Sequence, residues 1–296
     1  MNYLQFQKLF SAEEAIIAHY ISIRYKEGIK CNHCNSDKVY QVKDRPKFFY
    51  CSHCINHFSV FKDTIFEHSS TDMRKWFYAI HLFLNGKKGI SGCQLQREID
   101  VTYKTAWRML QQIRKAMGNK EVQQSFEAIV EIDETYVGGK PKKNFNKDNK
   151  NKRGRGTKKS PVVGVIDRQN KQVHAKVALP NKEGKKLTGK QLLSILNEVV
   201  KQSSIVMTDE FKSYNILSKT EHIHLKVDHT KEYVNGLIHT NNIESFWATL
   251  KRGIYGIYHS VSTKYLQNYV NEFCFRYNNR DVESMFDLLL LQSINI

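Results

Sequence analysis

Apolar residues recur at helical spacing in two parts of the first 117 residues, before residue 29 and again from residue 76 onwards. Residues 1–28 carry such a pattern, and residues 76–84 (WFYAIHLFL) form a strongly apolar helix candidate. Two more helices are predicted at GCQLQREI and YKTAWRMLQQIRKAM, joined at residues 100–102, with Thr102 as the N-cap of the second. The apolar positions of that second helix are predicted to face a core; they are Ala106, Met109, Leu110, Ile113 and Met117.

From residue 129 onwards the pattern changes to short, β-rich apolar runs. The runs are IVEIDETYV, SPVVGVIDR, KQVHAKVAL, SSIVMTDEF and HLKVDH. A helix candidate, TGKQLLSILNEVVKQ, lies between the third and fourth, and two more follow at NIESFWATLKRGI and STKYLQNYVNEFCFRYNN. This order predicts an α/β domain with a mixed sheet and helices on its faces, in a ribonuclease H-like arrangement.

The amino-acid composition indicates what kind of molecule the chain binds. The 296 residues contain 46 Lys and Arg against 29 Asp and Glu, a net charge of +17, which favours a polyanionic partner. The mean hydropathy is −0.54, and the absence of an apolar run near 18 residues predicts no membrane span. The N-terminus lacks the basic-then-apolar order of a secretion signal, so a cytoplasmic, nucleoid-associated protein is expected.

Four of the six cysteines form two pairs, Cys31 with Cys34 and Cys51 with Cys54, separated by 16 residues. This spacing is typical of a zinc ribbon in which four thiolates hold one structural Zn²⁺. The alternative is four free cytosolic thiols or two redox pairs. The intervening segment predicts a short hairpin, and the remaining two cysteines, Cys93 and Cys274, are expected to be buried among apolar residues.

The two helices around residues 100–102 are also a helix-turn-helix candidate. Base contacts would come from the start of the second helix; the candidates are Tyr103, Lys104, Thr105 and Arg108. An ordinary helical hairpin with a solvated basic face fits the pattern equally well.

A second basic feature is the loop at residues 139–159, which contains ten Lys or Arg and one Asp. It is either a solvated insertion or an arm that neutralises phosphates. The candidate DNA-binding residues in it are Lys142, Lys143, Lys152, Arg153, Arg155, Lys158 and Lys159.

Three carboxylates stand at positions that suit divalent cations. Asp133 lies inside an apolar strand, and Asp209 follows another, where periodicity does not choose between it and the adjacent Glu210. Glu244 lies in the first turn of a helix beside its apolar stripe. By the two-residue period, Glu131 shares the face of Asp133 and Glu134 points away. Each carboxylate alone also has an ordinary explanation as a strand-ending turn former, a partner of lysines or, for Glu244, a member of a capping box with Asn241.

Several long motifs resemble the zinc-ribbon Asp-Asp-Glu (DDE) transposases of bacterial insertion sequences, the ISXO-like group. In the second half they are EIDETYVGGK, GRGTKKSPVVGVIDR, TDEFKSY, HTNNIESFWATLKRGIYGIYHSVS and YVNEFCFRYNNR. In the first half they are the cysteine pairs, FSVFKDTIFEHSS and the stretch from Ile90 to Met117. The likeness therefore covers nearly the whole chain.

The resemblance implies a ribonuclease H-like domain in which Asp133, Asp209 and Glu244 are catalytic and bind two Mg²⁺ or Mn²⁺ ions. The implied activity is hydrolysis at transposon ends followed by joining of the freed 3′-hydroxyl to target DNA. The partners would be double-stranded DNA and further copies of the chain, as a homodimer or larger. His239 on one side of Glu244, and Lys251 or Arg252 on the other, are candidates for phosphate contacts, and core packing or plain surface exposure fits each of them equally well.

The expected organisation is an N-terminal helix and zinc ribbon (1–70), a helix-turn-helix module (71–120) and the catalytic domain (121–296). Two alternatives remain open. One is a catalytically inactive DNA-binding regulator, and the other is a nuclease without strand transfer.

Overall fold

The structure is a computed structural model that divides into two compact units. The first unit comprises Met1–Glu121 together with Val282–Ile296, and the second comprises Val122–Asp281. Among the described residues, no helix is both long and apolar enough to cross a membrane. The described residues are 1–118, 126–139, 159–180, 187–226 and 239–295.

Helices and strands follow the order expected from the periodicity. The helices are α1 (Tyr3–Leu9), α2 (Glu13–Arg24), α3 (Met73–Asn85), α4 (Gly92–Ile99), α5 (Tyr103–Met117), α6 (Gly189–Asn197), α7 (Asn241–Gly253), α8 (Thr263–Asn278) and α9 (Met285–Gln292). The strands are β1 (Val39–Gln41), β2 (Phe48–Cys51), β3 (His57–Ser59), β4 (Ile129–Val137), β5 (Ser160–Asp167), β6 (Gln172–Val177), β7 (Ile205–Thr208) and β8 (Ile223–Lys226).

In the first unit, strands β1 to β3 form a small antiparallel sheet in chain order. The predicted hairpin is the β1–β2 pair, and β3 adds an edge strand that the sequence analysis did not identify. Phe49 and Cys51 of β2 are buried, which ties this sheet to the rest of its unit.

Helices α4 and α5 begin and end where the sequence predicts. Thr102 caps α5 by accepting a hydrogen bond from the backbone N–H of Thr105 at 3.3 Å. Asp100 ends α4 in the left-handed conformation, with φ of 48°. The five apolar residues of α5 that were predicted to face a core are all buried. The two helices are therefore confirmed, whereas their use as a DNA-binding module stays a prediction.

Cys93 corrects one expectation, because it is exposed rather than buried. The buried residues of α4 are Leu95 and Ile99, one turn apart. Since consecutive residues of a helix are rotated by about 100°, Cys93 lies on the side opposite Leu95. Cys274 is half-buried and packs against the core of the second unit.

The last fifteen residues pack in the first unit, although the sequence analysis assigned them to the catalytic domain. The reason is the apolar helix α9, whose Phe286 ring lies 5.6 Å from the rings of Phe10 and Phe77. Leu289 and Leu290 of the same helix are fully buried. The sequence pattern does not predict that α9 packs with the first unit, because its contacts there are with residues far away in the sequence.

The second unit is built on a five-stranded mixed sheet in the order β6-β5-β4-β7-β8. Strand β5 runs antiparallel to both of its neighbours, β4 and β6, whereas β7 and β8 run parallel to β4. The α/β class and the mixed sheet are therefore as predicted.

Each face of this sheet is covered by helices. On one face, Val130 and Ile132 of β4 pack with residues of α6. On the other, Ile243, Phe246 and Trp247 of α7 pack with α8 and with β5. Because side chains alternate along a strand, neighbouring residues of β4 face α6 and α7 in turn.

Candidate active site and metal sites

The four paired cysteines converge in the first unit. Their sulfur atoms all lie within 4.8 Å of one another, and the Cys31–Cys54 and Cys34–Cys51 sulfurs are 3.5 and 3.6 Å apart. Four thiolates about one zinc ion, at roughly 2.3 Å each, have sulfurs separated by about 3.8 Å. The cluster therefore fits a tetrahedral metal ion.

N–H donors favour the thiolate at two of the four sulfurs, Cys31 and Cys54, where they lower the pKa against the effect of burial. The N–H of His33 points at the sulfur of Cys31 at 3.4 Å, and the side-chain amide of Asn56 donates to Cys54 at 3.6 Å. Burial opposes ionisation, but the N–H groups of Cys34 and His33 outweigh it and lower the pKa of Cys31 to about 6. Thiolate is the form that binds metal, so these N–H groups favour metal binding at Cys31. At Cys34 the N–H of Ser36 acts in the same direction, but burial and the three neighbouring cysteine side chains outweigh it and raise the pKa to about 12.

In the second unit, three carboxylates converge where β4 and β7 lie side by side. Glu131 pairs with Met207 in the parallel register, which brings Asp133 next to Asp209 two residues further along. Oxygens of Asp133, Glu134 and Asp209 lie within 4.8 Å of one another. This is the acidic cluster of the unit.

Asp133 experiences the strongest electrostatic perturbation in the acidic cluster. Burial raises its pKa to about 8, and the charges of Glu134 and Asp209 act in the same direction. A bound divalent cation would offset this repulsion, and hard cations prefer carboxylate oxygens. The cluster therefore fits Mg²⁺ or Mn²⁺.

A tryptophan fixes one oxygen of Asp133. The indole N–H of Trp247 donates to Oδ2 of Asp133 at 3.0 Å. Gly164, which pairs with Asp133 across the β4–β5 ladder, makes room for the ring: a Cβ there would lie 2.6 Å from the indole. Helix α7 is thereby held directly over the carboxylate.

Glu134 was expected to point away from Asp133. Its side chain does start on the opposite face, where the buried Tyr214 hydroxyl donates to its Oε2 at 2.9 Å. Its carboxylate nevertheless reaches the acidic cluster, because β7 ends at Thr208 and pairs with β4 only as far as Glu131, which leaves space beside β4 at Asp133 and Glu134. Periodicity describes the faces of a strand but not the space at its end.

Among the described residues, Glu244 is not part of the acidic cluster. It is exposed in the first turn of α7, and its Oε1 accepts a hydrogen bond from the Thr240 hydroxyl at 3.1 Å. It lies one turn before Trp247, on the same side of the helix. The capping-box alternative with Asn241 is wrong, because the N-cap is Thr240 and Asn241 is the first helical residue.

Basic side chains border the same edge of the sheet. Lys251 is half-buried, and burial lowers its pKa while nearby Asp133 raises it and Lys159 lowers it further. Arg252 is exposed and donates to the Thr249 hydroxyl at 3.3 Å. Lys159 and Lys251 thus place positive charge beside the acidic cluster.

The candidate base-contacting residues of α5 differ in their surroundings. Tyr103 and Lys104 are exposed, whereas Thr105 shares a hydrogen bond of 3.0 Å with the Thr102 hydroxyl. Arg108 lies over the Trp76 ring at 5.7 Å and donates to Ser69 at 3.3 Å. In this conformation Arg108 therefore supports its own unit. Candidates that lie outside the described residues are Lys142, Lys143, Lys152, Arg153, Arg155 and Lys158.

Comparison with known families identifies the group to which these features belong. The profile of the ISXO2-like transposase domain matches residues 126–278, just over half of the chain and most of the second unit. The chain belongs to the ISXO2-like transposase family. The transposase zinc-ribbon domain matches residues 11–57, which contain all four paired cysteines.

Relatives of this transposase extend the match over nearly the whole chain. A Halobacterium salinarum protein, described as an uncharacterized protein in transposable element ISH50, is 31% identical over 284 residues, covering 91% of this chain and 92% of the relative. An uncharacterized transposase-like protein of Haemophilus influenzae is 32% identical over 98 residues, or 33% of this chain and 79% of that protein.

Among solved structures, a pre-cleavage Mos1 transpososome has a TM-score of 0.28 and 13% identity, covering 72% of this chain and 78% of that one. Because this TM-score is low, the description of the fold relies on the sheet order of this chain and on the family match instead.

The roles of three residues around the acidic cluster do not follow from the sequence pattern. Trp247 belongs to the apolar stripe beside Glu244, a position that predicts burial alone, and Tyr214 ends the motif TDEFKSY, which does not indicate its contact with Glu134. Glu131 was placed on the face of Asp133, but its partner across the sheet was not foreseen. Each role depends on contacts between residues 80 or more positions apart in sequence, which local periodicity does not encode.

Proposed function

We propose that this transposase binds the terminal inverted repeats of an insertion sequence, cleaves the ends by metal-dependent phosphodiester hydrolysis and joins the 3′-hydroxyl to target DNA. The observation that carries the proposal is the acidic cluster at the edge of the central strands, in a chain of transposase family. The family match supports transposition as the process, and the acidic cluster supports the chemistry.

The strand order supports a ribonuclease H-like catalytic domain. Three antiparallel strands precede a helical crossover, and the fourth and fifth strands then add in parallel beside the first. This is the arrangement expected for that fold, in which carboxylates of the first and fourth strands come together. Here those strands are β4 and β7, and the carboxylates are Asp133 and Asp209.

Asp133 and Asp209 would hold two divalent cations, with Glu244 as the third carboxylate. Bound cations supply Lewis-acid activation of the attacking oxygen and stabilisation of the leaving one in an in-line displacement. Glu244 is proposed because α7 already lies over Asp133 through Trp247, one turn away. Glu134 is the competing third ligand, because its oxygens already lie in the acidic cluster.

The chain's own residues orient this site. Trp247 holds Oδ2 of Asp133, which leaves Oδ1 free of that bond, and Tyr214 holds one oxygen of Glu134. Lys251 and Lys159 would neutralise the phosphate backbone next to the scissile bond. Arg252, exposed on the same helix, would contact a neighbouring phosphate.

Recognition of double-stranded DNA is assigned to the first unit and to the basic loop 139–159. Helix α5 would enter the major groove with Tyr103 and Lys104, and the zinc ribbon would hold one structural Zn²⁺ and contact the end of the element. The basic loop would bind phosphates without regard to sequence. Acting on two ends of an element requires at least two copies of the chain, so a homodimer or larger assembly on DNA in the nucleoid is proposed.

The experiment is a strand-transfer assay on a labelled element end with Mg²⁺, comparing wild type with Asp133→Ala. Joined products from wild type and none from the variant would support the proposal. Binding without cleavage by wild type would favour an inactive regulator. Nicking without joining would favour a nuclease.

A further inference from the structure

Glu131 is a fully buried carboxylate two residues before Asp133 on β4, and it lies outside the acidic cluster. Its oxygens are saturated by other groups of the second unit. It accepts from the backbone N–H groups of Asn242 and Ile243, each at 3.0 Å, and from the Asn242 side-chain amide at 2.7 Å. Arg168 donates to it through Nε at 2.6 Å.

Two of these donors are N–H groups in the first turn of α7, at its second and third residues, whereas the N–H of Asn241 points at the His239 ring at 3.4 Å. The N-cap of that helix, Thr240, makes no side-chain capping bond, so the helix lacks the usual local cap. Glu131 supplies the missing acceptor from a different element, 111 residues earlier in the chain. A carboxylate at a helix N-terminus is also favoured by the helix dipole.

Arg168 extends the same anchor to the residue that precedes the helix. While its Nε binds Glu131, its Nη2 donates to the backbone carbonyl of His239 and lies 2.9 Å from the ring Nδ1 of His239. The planar guanidinium holds the two groups at fixed geometry, which a lysine ammonium does not do. The start of α7 is therefore fixed both to β4 and, through Arg168 just after β5, to the neighbouring strand.

We infer that Glu131 is a positioning residue that sets the location of α7, and with it Glu244, Trp247 and Lys251, relative to Asp133. One strand then carries both the metal-binding carboxylate and the anchor of the helix that completes the site. Glu131 and Asp133 are only about 6.6 Å apart along the strand. Because Glu244 lies on α7, a shift of that helix away from Glu131 would also move Glu244 relative to Asp133. This inference rests on the proposed function for its catalytic consequence.

The competing explanation is that the Glu131–Arg168 ion pair only stabilises the fold. A second buried ion pair in the same unit provides a matched control. Glu272 is also fully buried, and its partner Arg276 is about as buried as Arg168. Glu272 also accepts from the Tyr258 hydroxyl, at 2.9 and 3.0 Å. It lies on α8, within the same unit, and contacts none of the acidic cluster. Glu272→Gln therefore removes an equivalent buried charge without touching the anchor.

The experiment compares Glu131→Gln with Glu272→Gln in the full-length, zinc-loaded protein. Three kinds of measurement are made: amide hydrogen exchange of Asn242 and Ile243, binding of Mn²⁺ alone by electron paramagnetic resonance, and kinetics on a labelled element end, which give both the cleavage rate and the DNA affinity. Thermal unfolding of both variants checks that they are folded to the same extent.

We expect Glu131→Gln to speed exchange of the two amides at least tenfold, to weaken Mn²⁺ binding at least tenfold and to lower the cleavage rate at unchanged DNA affinity. Glu272→Gln should leave all three near wild type. Equal changes in both variants, or a Glu131→Gln effect on DNA affinity alone, would overturn the inference.

If Glu131→Gln does not fold, Arg168→Lys replaces it, because lysine keeps the charge but cannot hold Glu131 and His239 together. The same changes, reduced in size, are then expected, and wild-type exchange and Mn²⁺ affinity would contradict the inference. Failure of wild type to cleave DNA would refute the proposed function, whereas the exchange and Mn²⁺ measurements would still judge the anchor.

Discussion

Asp133 is subject to opposing effects on the charge of its side chain. Burial and two neighbouring carboxylates disfavour its charge and raise its pKa to about 8, while the Trp247 indole stabilises the charged form by one hydrogen bond. An arrangement that destabilises the metal-free protein is typical of a functional site rather than a structural one. The repulsion is what a divalent cation would relieve.

The raised pKa of Asp133 predicts how stability depends on pH in zinc-loaded protein without added Mg²⁺ or Mn²⁺. Because the folded pKa lies above the unfolded value of 3.8, the contribution of Asp133 to stability is full below pH 3.8 and is lost as pH rises through about 8. Asp133→Asn removes this loss. The variant should therefore melt above wild type by a margin that grows between pH 5 and pH 8, to on the order of 5 °C, and then levels off.

The matched control is Glu221→Gln, at an exposed carboxylate of the same unit. It should show no such growth with pH in the same melting series. A constant difference between Asp133→Asn and wild type from pH 5 to pH 9 would contradict the prediction.

The identity of the third ligand is decided by paired variants, Glu244→Gln and Glu134→Gln. If Glu244 completes the site, its variant should lose at least a hundredfold in the cleavage rate, whereas Glu134→Gln should keep measurable activity because Tyr214 still holds its side chain. Single-turnover cleavage of a labelled end measures both. The reverse ranking would assign the third position to Glu134.

At the scale of elements, the zinc ribbon and the sheet of the second unit differ in what stabilises the backbone that positions their candidate metal ligands. The ribbon strands are only three or four residues long, so we expect the metal to supply much of the ribbon's stability. The sheet of the second unit has two helix-covered faces, so its hydrophobic core stabilises the strands that position the carboxylates.

Cys51→Ser and Cys93→Ser test the role of the thiols. Cys51 is one of the four converging sulfurs, whereas Cys93 is exposed on α4. We expect Cys93→Ser to retain one zinc per chain and Cys51→Ser to retain almost none, with loss of protection from proteolysis at residues 31–57. Elemental analysis by plasma mass spectrometry measures the zinc. Full zinc content in Cys51→Ser would contradict a four-thiolate site.

The local sequence pattern predicts most helices and strands of this fold, but it does not predict which of them pack together. The bounds of α4 and α5, the Thr102 cap and the five strand runs follow from periodicity and capping alone. The packing of α9 in the first unit, the entry of Glu134 into the acidic cluster and the capping of α7 by Glu131 do not. Each is decided by contacts between segments far apart in sequence, where space and charge in the folded chain override the local signal.

For the molecule as a whole, charge is distributed unevenly. The net charge is +17, and the loop at residues 139–159 contributes ten positive residues against one negative. In the second unit this basic loop follows β4, the strand that carries Asp133, and its last residue, Lys159, lies near Lys251. Phosphate binding by the loop would therefore bring DNA towards the acidic cluster.

Replacing Lys152, Arg153 and Arg155 by Gln should weaken binding to DNA of any sequence and flatten its salt dependence. Each lost phosphate contact removes about 0.9 from the slope of log affinity against log salt, so the slope should fall by up to about 2.7. Fluorescence anisotropy between 50 and 200 mM salt measures this slope. A triple Gln variant at the exposed Lys171, Lys190 and Lys219 changes the net charge equally and should leave the slope near wild type.

The joining step is the most direct test of the central claim. Pre-cut element ends carrying either a 3′-hydroxyl or a 2′,3′-dideoxy terminus are incubated with target DNA, Mg²⁺ and wild-type protein or Asp209→Asn. The account predicts joined products only from the 3′-hydroxyl end and only with wild type. Joining of the dideoxy end, or undiminished joining by Asp209→Asn, would contradict it.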